Sequence, residues 1–409
     1  MKRADECFNI IDLERAARKR LPAPLYDYIA GGADEEWTLE RNVTAFDRYE
    51  LIPNYMRDVR DIDLSRTVLG YKLDWPMVLA PTGMSKLFHK AGELGVAKEA
   101  ARAGAGYSLS TMGTTSIEEI AAASDGFKMF QLYPLSDPAL NRAIIGRCRD
   151  AGFDALCVTV DCIVAGNRER DLRSGMTVPP RFTWSSLARF ASRPAWCVDY
   201  LLGDAFSLPN IGDGSSGGDV STLSAYFAEK MEPNITWPML EAIAAEWGGP
   251  IAIKGLQSVE DARRAADSGA SAVIVSNHGG RQLDGASATI DSLPAIVDAV
   301  GDRVEVILDG GIRRGSHIAK ALALGATACM TGRPYLYGLS AFGAPGVRRS
   351  LDILRSELQR TCALSGCASV DELTREGLRM AHEVPSGIGP APASAETGMA
   401  VNAGRRAAR

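Results

Sequence analysis

The segment SNHGGRQLDG (276–285) carries a histidine and an arginine three positions apart. It follows an apolar run, so both side chains come just after a predicted strand. A histidine acts as a general base near neutral pH, and an arginine holds a carboxylate through paired N–H groups. Asp161, at the end of another apolar run, is available to orient the imidazole. A capping histidine beside a surface arginine is the alternative. The flanking glycines favour a functional pair, with His278 as the base and Arg281 as the carboxylate ligand.

Two later strand ends combine glycine with arginine. DGGIRRG contains Asp309, Gly311 and Arg313, and the final apolar run ends in Gly332 and Arg333. Glycines let backbone N–H groups approach a phosphate, and an arginine adds positive charge. One such loop is a weak indication. Two of them, after the last two strands of a barrel, predict a phosphate site.

Other strand ends offer partners for a flat polar ring. Lys254 ends the fifth apolar run, and Ser110, Gln131 and Thr159 end the second, third and fourth. Alone, Lys254 is better explained as a strand-end lysine that reaches solvent. With the phosphate site, the set predicts flavin mononucleotide (FMN), because a positive charge beside the ring stabilises its reduced, anionic form.

Several further side chains allow two interpretations. Arg168, in GNRERD, is either a second carboxylate ligand or a surface charge. Tyr28 and Tyr133 either offer hydroxyls to the same substrate or fill the core. His89 is expected in a loop, and His317, in the first turn of a helix, is expected on the surface.

The elements that must position these groups form a repeating pattern. Short, continuously apolar runs lie at 76–81, 105–111, 128–133, 155–161, 250–255, 272–280, 304–311 and 328–333. Amphipathic segments such as GELGVAKEAARAG separate them. Continuous apolar runs are typical of a parallel sheet buried on both faces. Eight of them predict an α/β fold, a closed (β/α)8 TIM barrel, with an open doubly wound sheet as the alternative. All eight runs end in groups that ionise or hydrogen-bond, as expected at the C-terminal face of such a barrel.

The barrel, at about 75–335, accounts for most of a predicted single domain over 1–380. Helical spacing before it predicts an N-terminal helical cap. Beyond it, the Pro-, Ala- and Gly-rich tail 383–409 is expected to be disordered.

A long insertion (174–235) follows strand four. Its first half, 181–202, mixes aromatic and aliphatic residues with arginines, and its second half is rich in glycine and serine. The GxGxxG match at 212–217 follows no strand and opens no helix, so it does not indicate a dinucleotide site.

Composition excludes several classes. The 409 residues carry a net charge of −5, without the basic character of a nucleic-acid-binding protein. No run of 18 or more apolar residues is present, as a membrane-spanning helix would need. Eight cysteines contain no CxxC pair, so neither a zinc knuckle nor a thioredoxin motif is indicated, and we expect no bound metal. The N-terminal residues lack the apolar core of a signal peptide, which favours a cytoplasmic protein.

Ten motifs carry a resemblance to a known family. They are YDYIAGGADEEWTLERN, LAPTG, LST, FQLY, TVD, GNRERD, IKG, SNHGGRQLDG, DGGIRRG and GRP. Over about residues 8–380, the chain resembles the FMN-dependent L-2-hydroxy acid oxidase/dehydrogenase family, in particular its bacterial L-lactate and mandelate dehydrogenases. The resemblance implies FMN-dependent oxidation of an L-2-hydroxy acid to the 2-keto acid.

The resemblance also implies a role for each matching residue. His278 would be the base, oriented by Asp161, with the Tyr133 hydroxyl near the reacting carbon. Arg168, Arg281 and Tyr28 would bind the substrate carboxylate. FMN would be held by Pro81, Thr82, Gly83, Ser110, Gln131, Thr159, Lys254, Ser276, Asp309, Gly311, Arg313, Gly332 and Arg333.

Gly83 bears on the electron acceptor. Oxidases of the family more often carry alanine there, and a glycine would leave space beside the flavin. By resemblance, it favours a dehydrogenase that passes electrons to quinone or a cytochrome. A soluble oxidase that releases H2O2 shares every site residue and stays an alternative. From another class, so does an FMN-barrel isomerase without net redox chemistry.

Met112 and Ala165 bear on the substrate. Glycolate oxidase has a bulky aromatic residue where this chain has Met112, and Ala165 is also small. The resemblance therefore implies a pocket for something larger than glycolate. L-Lactate is the first expectation, followed by mandelate or a longer aliphatic hydroxy acid.

The segment 181–202 is similar to the membrane-binding segment of the bacterial lactate and mandelate dehydrogenases. Its mixture of Trp, Phe and Leu with Arg suits an interfacial segment. It implies a peripheral contact at the cytoplasmic face of the inner membrane, with a lid or a subunit contact as the alternative. Because the family is often tetrameric, a homotetramer is expected.

Overall fold

The computed structural model describes residues 3–176, 189–204, 206–211 and 229–381. The predicted tail (383–409), the GxGxxG stretch (212–217) and residues 181–188 of the aromatic segment lie outside these ranges.

Eight parallel strands close into a barrel, in the order β10-β11-β4-β5-β6-β7-β8-β9. The strands in the described ranges are β1 (Tyr49–Leu51), β2 (Arg66–Val68), β3 (Tyr71–Leu73), β4 (Met77–Leu79), β5 (Gly106–Ser110), β6 (Lys128–Leu132), β7 (Ala155–Thr159), β8 (Ile251–Leu256), β9 (Ala272–Val275), β10 (Glu305–Asp309), β11 (Ala328–Thr331) and β12 (Leu378–Met380). Each barrel strand lies within one of the eight apolar runs or extends one residue past it. The predicted TIM barrel is confirmed, and the open sheet is excluded.

Strand register determines which strand ends become neighbours. Ser110 is paired with Gln131 across β5 and β6, and Thr159 with Lys254 across β7 and β8. These strands are buried almost throughout. Their apolar side chains fill the space inside the barrel and beneath its helices, and the polar residues come last, where the strands open toward the C-terminal face.

Helices surround the barrel. They are α1 (Ile10–Arg20), α2 (Ala23–Ala30), α3 (Trp37–Thr44), α4 (Gly92–Arg102), α5 (Ile117–Ala123), α6 (Pro138–Asp150), α7 (Glu169–Ser174), α8 (Pro194–Leu201), α9 (Trp237–Trp247), α10 (Val259–Asp267), α11 (Thr289–Val300), α12 (Gly315–Ala323), α13 (Arg333–Phe342) and α14 (Ala344–Ser365). Several of these helices begin with a side chain that caps the first turn. On α5, Ser116 and Glu119 form such a cap, a capping box. No helix among the described residues is long and apolar enough to cross a bilayer.

The N-terminal helices α1–α3 cover the C-terminal face of the barrel. Ala33 N donates to Gly280 O and Asp34 N to Asn167 O, both at 2.8 Å. Thr38 N donates to the Asp284 carboxylate at 2.7 Å. The cap therefore touches the loops after β7 and β9, which carry predicted site residues.

The described part of the insertion is tied to the same face. The indole N–H of Trp196, in α8, donates to Leu87 O at 2.8 Å. Asp199 accepts from Arg20 of α1 at 2.9 Å. At the returning end, Glu232 N donates to Pro134 O at 3.0 Å. Helix α8 and the returning end of the insertion thus flank the mouth of the barrel.

Candidate active site

A cavity of about 730 Å³ opens at the C-terminal face of the barrel. The predicted site residues that line it are Tyr28, Pro81, Thr82, Gly83, Ser110, Met112, Tyr133, Arg168, Lys254, His278, Arg281, Asp309, Gly311, Arg313, Gly332 and Arg333. The other four, Gln131, Thr159, Asp161 and Ser276, lie directly beside or behind lining residues of this set. The structure therefore brings together residues from the cap and from all eight strand ends.

His278 is held by a carboxylate from a neighbouring strand end. Its Nδ1 lies 3.0 Å from Oδ1 of Asp161. Burial alone would raise the pKa of Asp161, but His278 and the more distant Lys254 hold it below its usual value. An ionised carboxylate only accepts hydrogen bonds, so the imidazole donates from Nδ1 and keeps Nε2 free to accept a proton.

Two arginines converge on the ring of Tyr28. The guanidinium carbon of Arg281 lies 4.8 Å from the ring centre, and that of Arg168 lies 5.7 Å away. Burial, together with the charge of Arg168, lowers the pKa of Arg281 below its usual value. Asp171 lies 3.5 Å from Arg168 Nε and offsets part of this charge. Two nearby cations on one wall favour a bound anion such as a carboxylate.

Lys254 lies in a buried ionic network and does not reach solvent. Its Nζ lies 2.8 Å from Asp309 Oδ2 and 3.0 Å from Ser276 Oγ. Burial disfavours the charged forms of Lys254 and Asp309, but their mutual attraction and hydrogen bonds are stronger. The pKa of Lys254 stays above its usual value, and that of Asp309 stays below. The interpretation of Lys254 as a solvent-seeking lysine is wrong, because its strand-end neighbours supply an acid.

The strand ends beside Lys254 leave polar atoms without partners. Among the described residues, Gln131 Nε2 and Thr159 Oγ1 are buried and make no hydrogen bond. Buried polar groups in proteins are nearly always paired. These atoms, with Lys254 and Ser110 on the cavity wall, fit the polar edge of a flavin ring. The donor set therefore suits FMN.

The two glycine–arginine loops follow the neighbouring strands β10 and β11, and both line the cavity. They precede α12 and α13, whose N-terminal N–H groups favour a phosphate. Gly311 has φ of 75°, and a Cβ there would lie only 1.7 Å from Asn42 O of the cap. This position accepts only glycine. The predicted phosphate loop is therefore shaped by its contact with the cap.

Arg333 has a role that the sequence did not indicate. Its guanidinium donates to Ile29 O, Gly31 O and Gly279 O at 2.8–2.9 Å. It joins the end of α2 to the loop after β9 while also lining the cavity. Burial lowers its pKa to about 9.

Gly83 does not border open space on the side where a Cβ would stand. A Cβ there would lie 2.6 Å from Met112 Cβ and 3.1 Å from Met112 O. The expectation that this glycine leaves room is wrong in this respect, because Met112 already fills that space. The two positions are coupled through direct packing.

His317 is buried, contrary to expectation. Its ring stacks on Phe46 at 4.3 Å, and Nδ1 lies 3.2 Å from Gly311 O. Burial lowers the pKa of His317 to about 4. The expectation failed because Phe46, which covers this helix, lies more than 250 positions away in the sequence.

Sequence reasoning missed most of the apolar lining. The missed residues include Phe88, Ile163, Val164, Met231 and Pro233. The sequence did contain a signal for Ile163 and Val164, because they lie two and three positions after the TVD motif. Met231 and Pro233 had none, because they reach the cavity from the far end of the insertion.

Comparisons with known proteins find relatives over most of the chain. Residues 17–380 match the sequence profile of FMN-dependent dehydrogenases. Glycolate oxidase 3 of Arabidopsis thaliana is 38% identical over 380 residues, covering 93% of this chain and 98% of its own. L-Lactate oxidase of Nostoc sp. is 40% identical over 376 residues, covering 91% and 98%. The crystal structure of the monotopic membrane protein (S)-mandelate dehydrogenase superposes with a TM-score of 0.87 at 34% identity, covering 92% of this chain and 100% of its own.

Replacing Gly311 with alanine is expected to abolish the FMN-loaded fold, because the new methyl group must displace Asn42 O. Flavin absorbance per chain and the thermal unfolding midpoint measure this. Gly146, in α6, has open space around its Cβ position, so Gly146→Ala is the matched control. It should keep the flavin and gain up to about 1 kcal/mol. Wild-type flavin content and unfolding in Gly311→Ala would contradict the packing argument.

Proposed function

The chain belongs to the FMN-dependent dehydrogenase family, and on that premise we propose that it oxidises an L-2-hydroxy acid with an apolar side chain to the 2-keto acid. FMN-dependent oxidation of 2-hydroxy acids is the activity of this group of proteins, and bound FMN accepts the two electrons that leave the substrate. The observation that carries the proposal is one cavity that contains a carboxylate-held histidine and a pair of arginines.

The arginine pair would bind the substrate carboxylate. Arg281 is fixed by donating to Tyr28 O and Gly31 O, and Arg168 lies beside it over the same tyrosine ring. A bound carboxylate would offset the burial and the repulsion by Arg168 that together lower the pKa of Arg281. Holding the carboxylate here keeps the substrate's 2-carbon inside the cavity, on the same side of the barrel mouth as His278.

His278 would take the proton that leaves the substrate. Its Nε2 is the free acceptor, and Asp161 stabilises the imidazolium that forms. The Tyr133 hydroxyl, also on the cavity wall, would contact the substrate near the reacting carbon. Gln131, Thr159, Ser110 and Lys254 would hold the flavin ring, and the glycine–arginine loops would hold its phosphate.

An apolar wall supports a substrate larger than glycolate. Met112, Ile163, Val164, Ala165 and Met231 all line the cavity. L-Lactate ranks first on sequence resemblance. The apolar lining, however, exceeds what one methyl group would need. We therefore propose that (S)-mandelate or longer aliphatic L-2-hydroxy acids give a higher kcat/KM than L-lactate.

Anaerobic addition of these acids to the FMN-loaded protein should bleach the flavin, with L-lactate slower than the larger substrates. His278→Asn should keep its yellow colour while the bleaching rate falls by about 10²- to 10⁴-fold. Asparagine is suitable because residue 278 has φ of 56°, which asparagine tolerates. Bleaching by none of the acids would refute the proposed function, and loss of flavin from His278→Asn would mean that the histidine has a different role.

The electron acceptor is proposed to be a quinone or a cytochrome rather than O2, on the resemblance carried by Gly83. Under air, with substrate in excess, we expect much less than one H2O2 per substrate oxidised once a quinone analogue or dye acceptor is supplied. Peroxide assays beside product assays measure the ratio. Stoichiometric peroxide, unaffected by the acceptor, would favour the oxidase alternative.

Helix α8 supports a peripheral membrane contact. One side is anchored through Trp196 and Asp199, whereas Val198, Leu201 and Leu202 are 55%, 78% and 72% exposed. An anchored helix with an exposed apolar face suits the interfacial region of a bilayer. We propose that this face contacts the cytoplasmic leaflet of the inner membrane.

In a flotation assay, the protein is expected to rise with vesicles of anionic lipid. The double variant Leu201→Asp/Leu202→Asp should lose most of that binding, because two charges would have to enter the apolar region of the interface. Leu364→Asp, changed at an exposed leucine of α14, is the matched control. Equal flotation of both variants would argue against α8 as the contact.

A further inference from the structure

Cys162 lies in the active site without a part in the proposed reaction. It follows Asp161 directly at the end of β7 and lines the cavity. Its Sγ lies 3.4 Å from His278 Nδ1 and 3.4 Å from Asp161 Oδ1. With the 3.0 Å contact between His278 and Asp161, three different donor atoms form a compact triangle.

This triangle has nearly the dimensions of a zinc site. Zn–S bonds of about 2.3 Å and Zn–N or Zn–O bonds of about 2.0–2.1 Å, at tetrahedral angles, separate S from N by about 3.6 Å and N from O by about 3.3 Å. The observed edges of 3.0–3.4 Å are only slightly shorter. A few tenths of an ångström of side-chain adjustment would admit the ion.

Two further features favour a cation there. Asp161 Oδ2 is buried and, within the described part of the chain, has no hydrogen-bond partner. Cys162 and His278 both face the cavity, which leaves a fourth coordination position open to water. The nearby cation Lys254 is already paired with Asp309 at 2.8 Å, so its repulsion is partly compensated. Arg168 and Arg281 line the same cavity and would also repel the ion, and the thiolate and carboxylate ligands must offset this repulsion.

We propose that Asp161, Cys162 and His278 form a reversible inhibitory site for one thiophilic divalent cation such as Zn²⁺. On binding, the thiol proton leaves to solvent and the imidazole proton moves from Nδ1 to Nε2. The thiolate and the carboxylate then balance the charge of the ion. Occupation removes the proton-accepting form of His278. The inhibition, though not the binding, rests on the proposed function.

Titrating the FMN-loaded protein with Cd²⁺, a spectroscopic substitute for Zn²⁺, tests the site directly. We expect one equivalent to bind per chain, with a thiolate-to-metal absorption band. Cys162→Ser should lose the band and bind Cd²⁺ at least about tenfold more weakly. Cys197, in α8, is the other cysteine that is only partly buried, so Cys197→Ser is the matched control and should behave like the wild type.

The same variants separate this proposal from the proposed function. Zn²⁺ should inhibit flavin bleaching in the wild type and in Cys197→Ser, with reversal by a chelator, and at least tenfold less potently in Cys162→Ser. Absence of a Cd²⁺–thiolate band, or equal affinity in Cys162→Ser, would overturn the site. Binding without inhibition would overturn its inhibitory role. Failure of the proposed function would instead appear as no bleaching in metal-free protein.

Discussion

The site depends on two arginines that join the cap to the barrel. Arg281 and Arg333 come from the ends of different barrel strands, and both donate to carbonyl oxygens at the end of α2. The last carbonyls of a helix have no partner within it and carry partial negative charge. The two guanidinium groups satisfy them and so fix Tyr28 over the cavity. The cap therefore completes the active site as well as covering it.

Charge balance in the barrel mouth then determines what can bind. Lys254 is balanced by Asp309, and Asp161 holds the imidazole of His278 by a hydrogen bond, in pairs whose atoms lie within 3.0 Å. Among the described residues, Asp171 is the acid that interacts with both Arg168 and Arg281, and its carboxylate oxygen lies 3.5 Å from Arg168. The excess positive charge lies on the wall of the cavity that also contains the histidine, so an anion is drawn into the cavity where proton removal is possible. The positive charge thus favours binding of the substrate carboxylate, and the apolar wall determines which substrate side chains fit.

The sequence predicted the barrel and most of the site because both follow from local patterns. Continuous apolar runs mark buried parallel strands, and the last residue of each run identifies a group at the C-terminal face. Contacts between distant segments carry no such pattern. Nothing near His317 indicates that Phe46 covers it, and nothing near Gly83 indicates that Met112 fills the adjacent space. Met231 reaches the cavity only because the insertion returns beside β6. No periodic pattern in the sequence predicts this return.

The HGG sequence at 278–280 shows how a local pattern and a distant contact combine. All three residues have positive φ, at 56°, 66° and 74°. A Cβ on Gly279 would lie 2.7 Å from Arg333 Nη1, and one on Gly280 would lie 2.6 Å from the backbone of Leu39. The glycines thus permit the arginine and the cap to approach. The histidine is the one residue of the three with a conformational cost, on the order of 1–2 kcal/mol. Asp161 and Ser276 hold it in that conformation through hydrogen bonds. A non-glycine residue kept in this region by surrounding contacts is typical of functional sites, and here its ring is directed toward the cavity that contains the arginine pair.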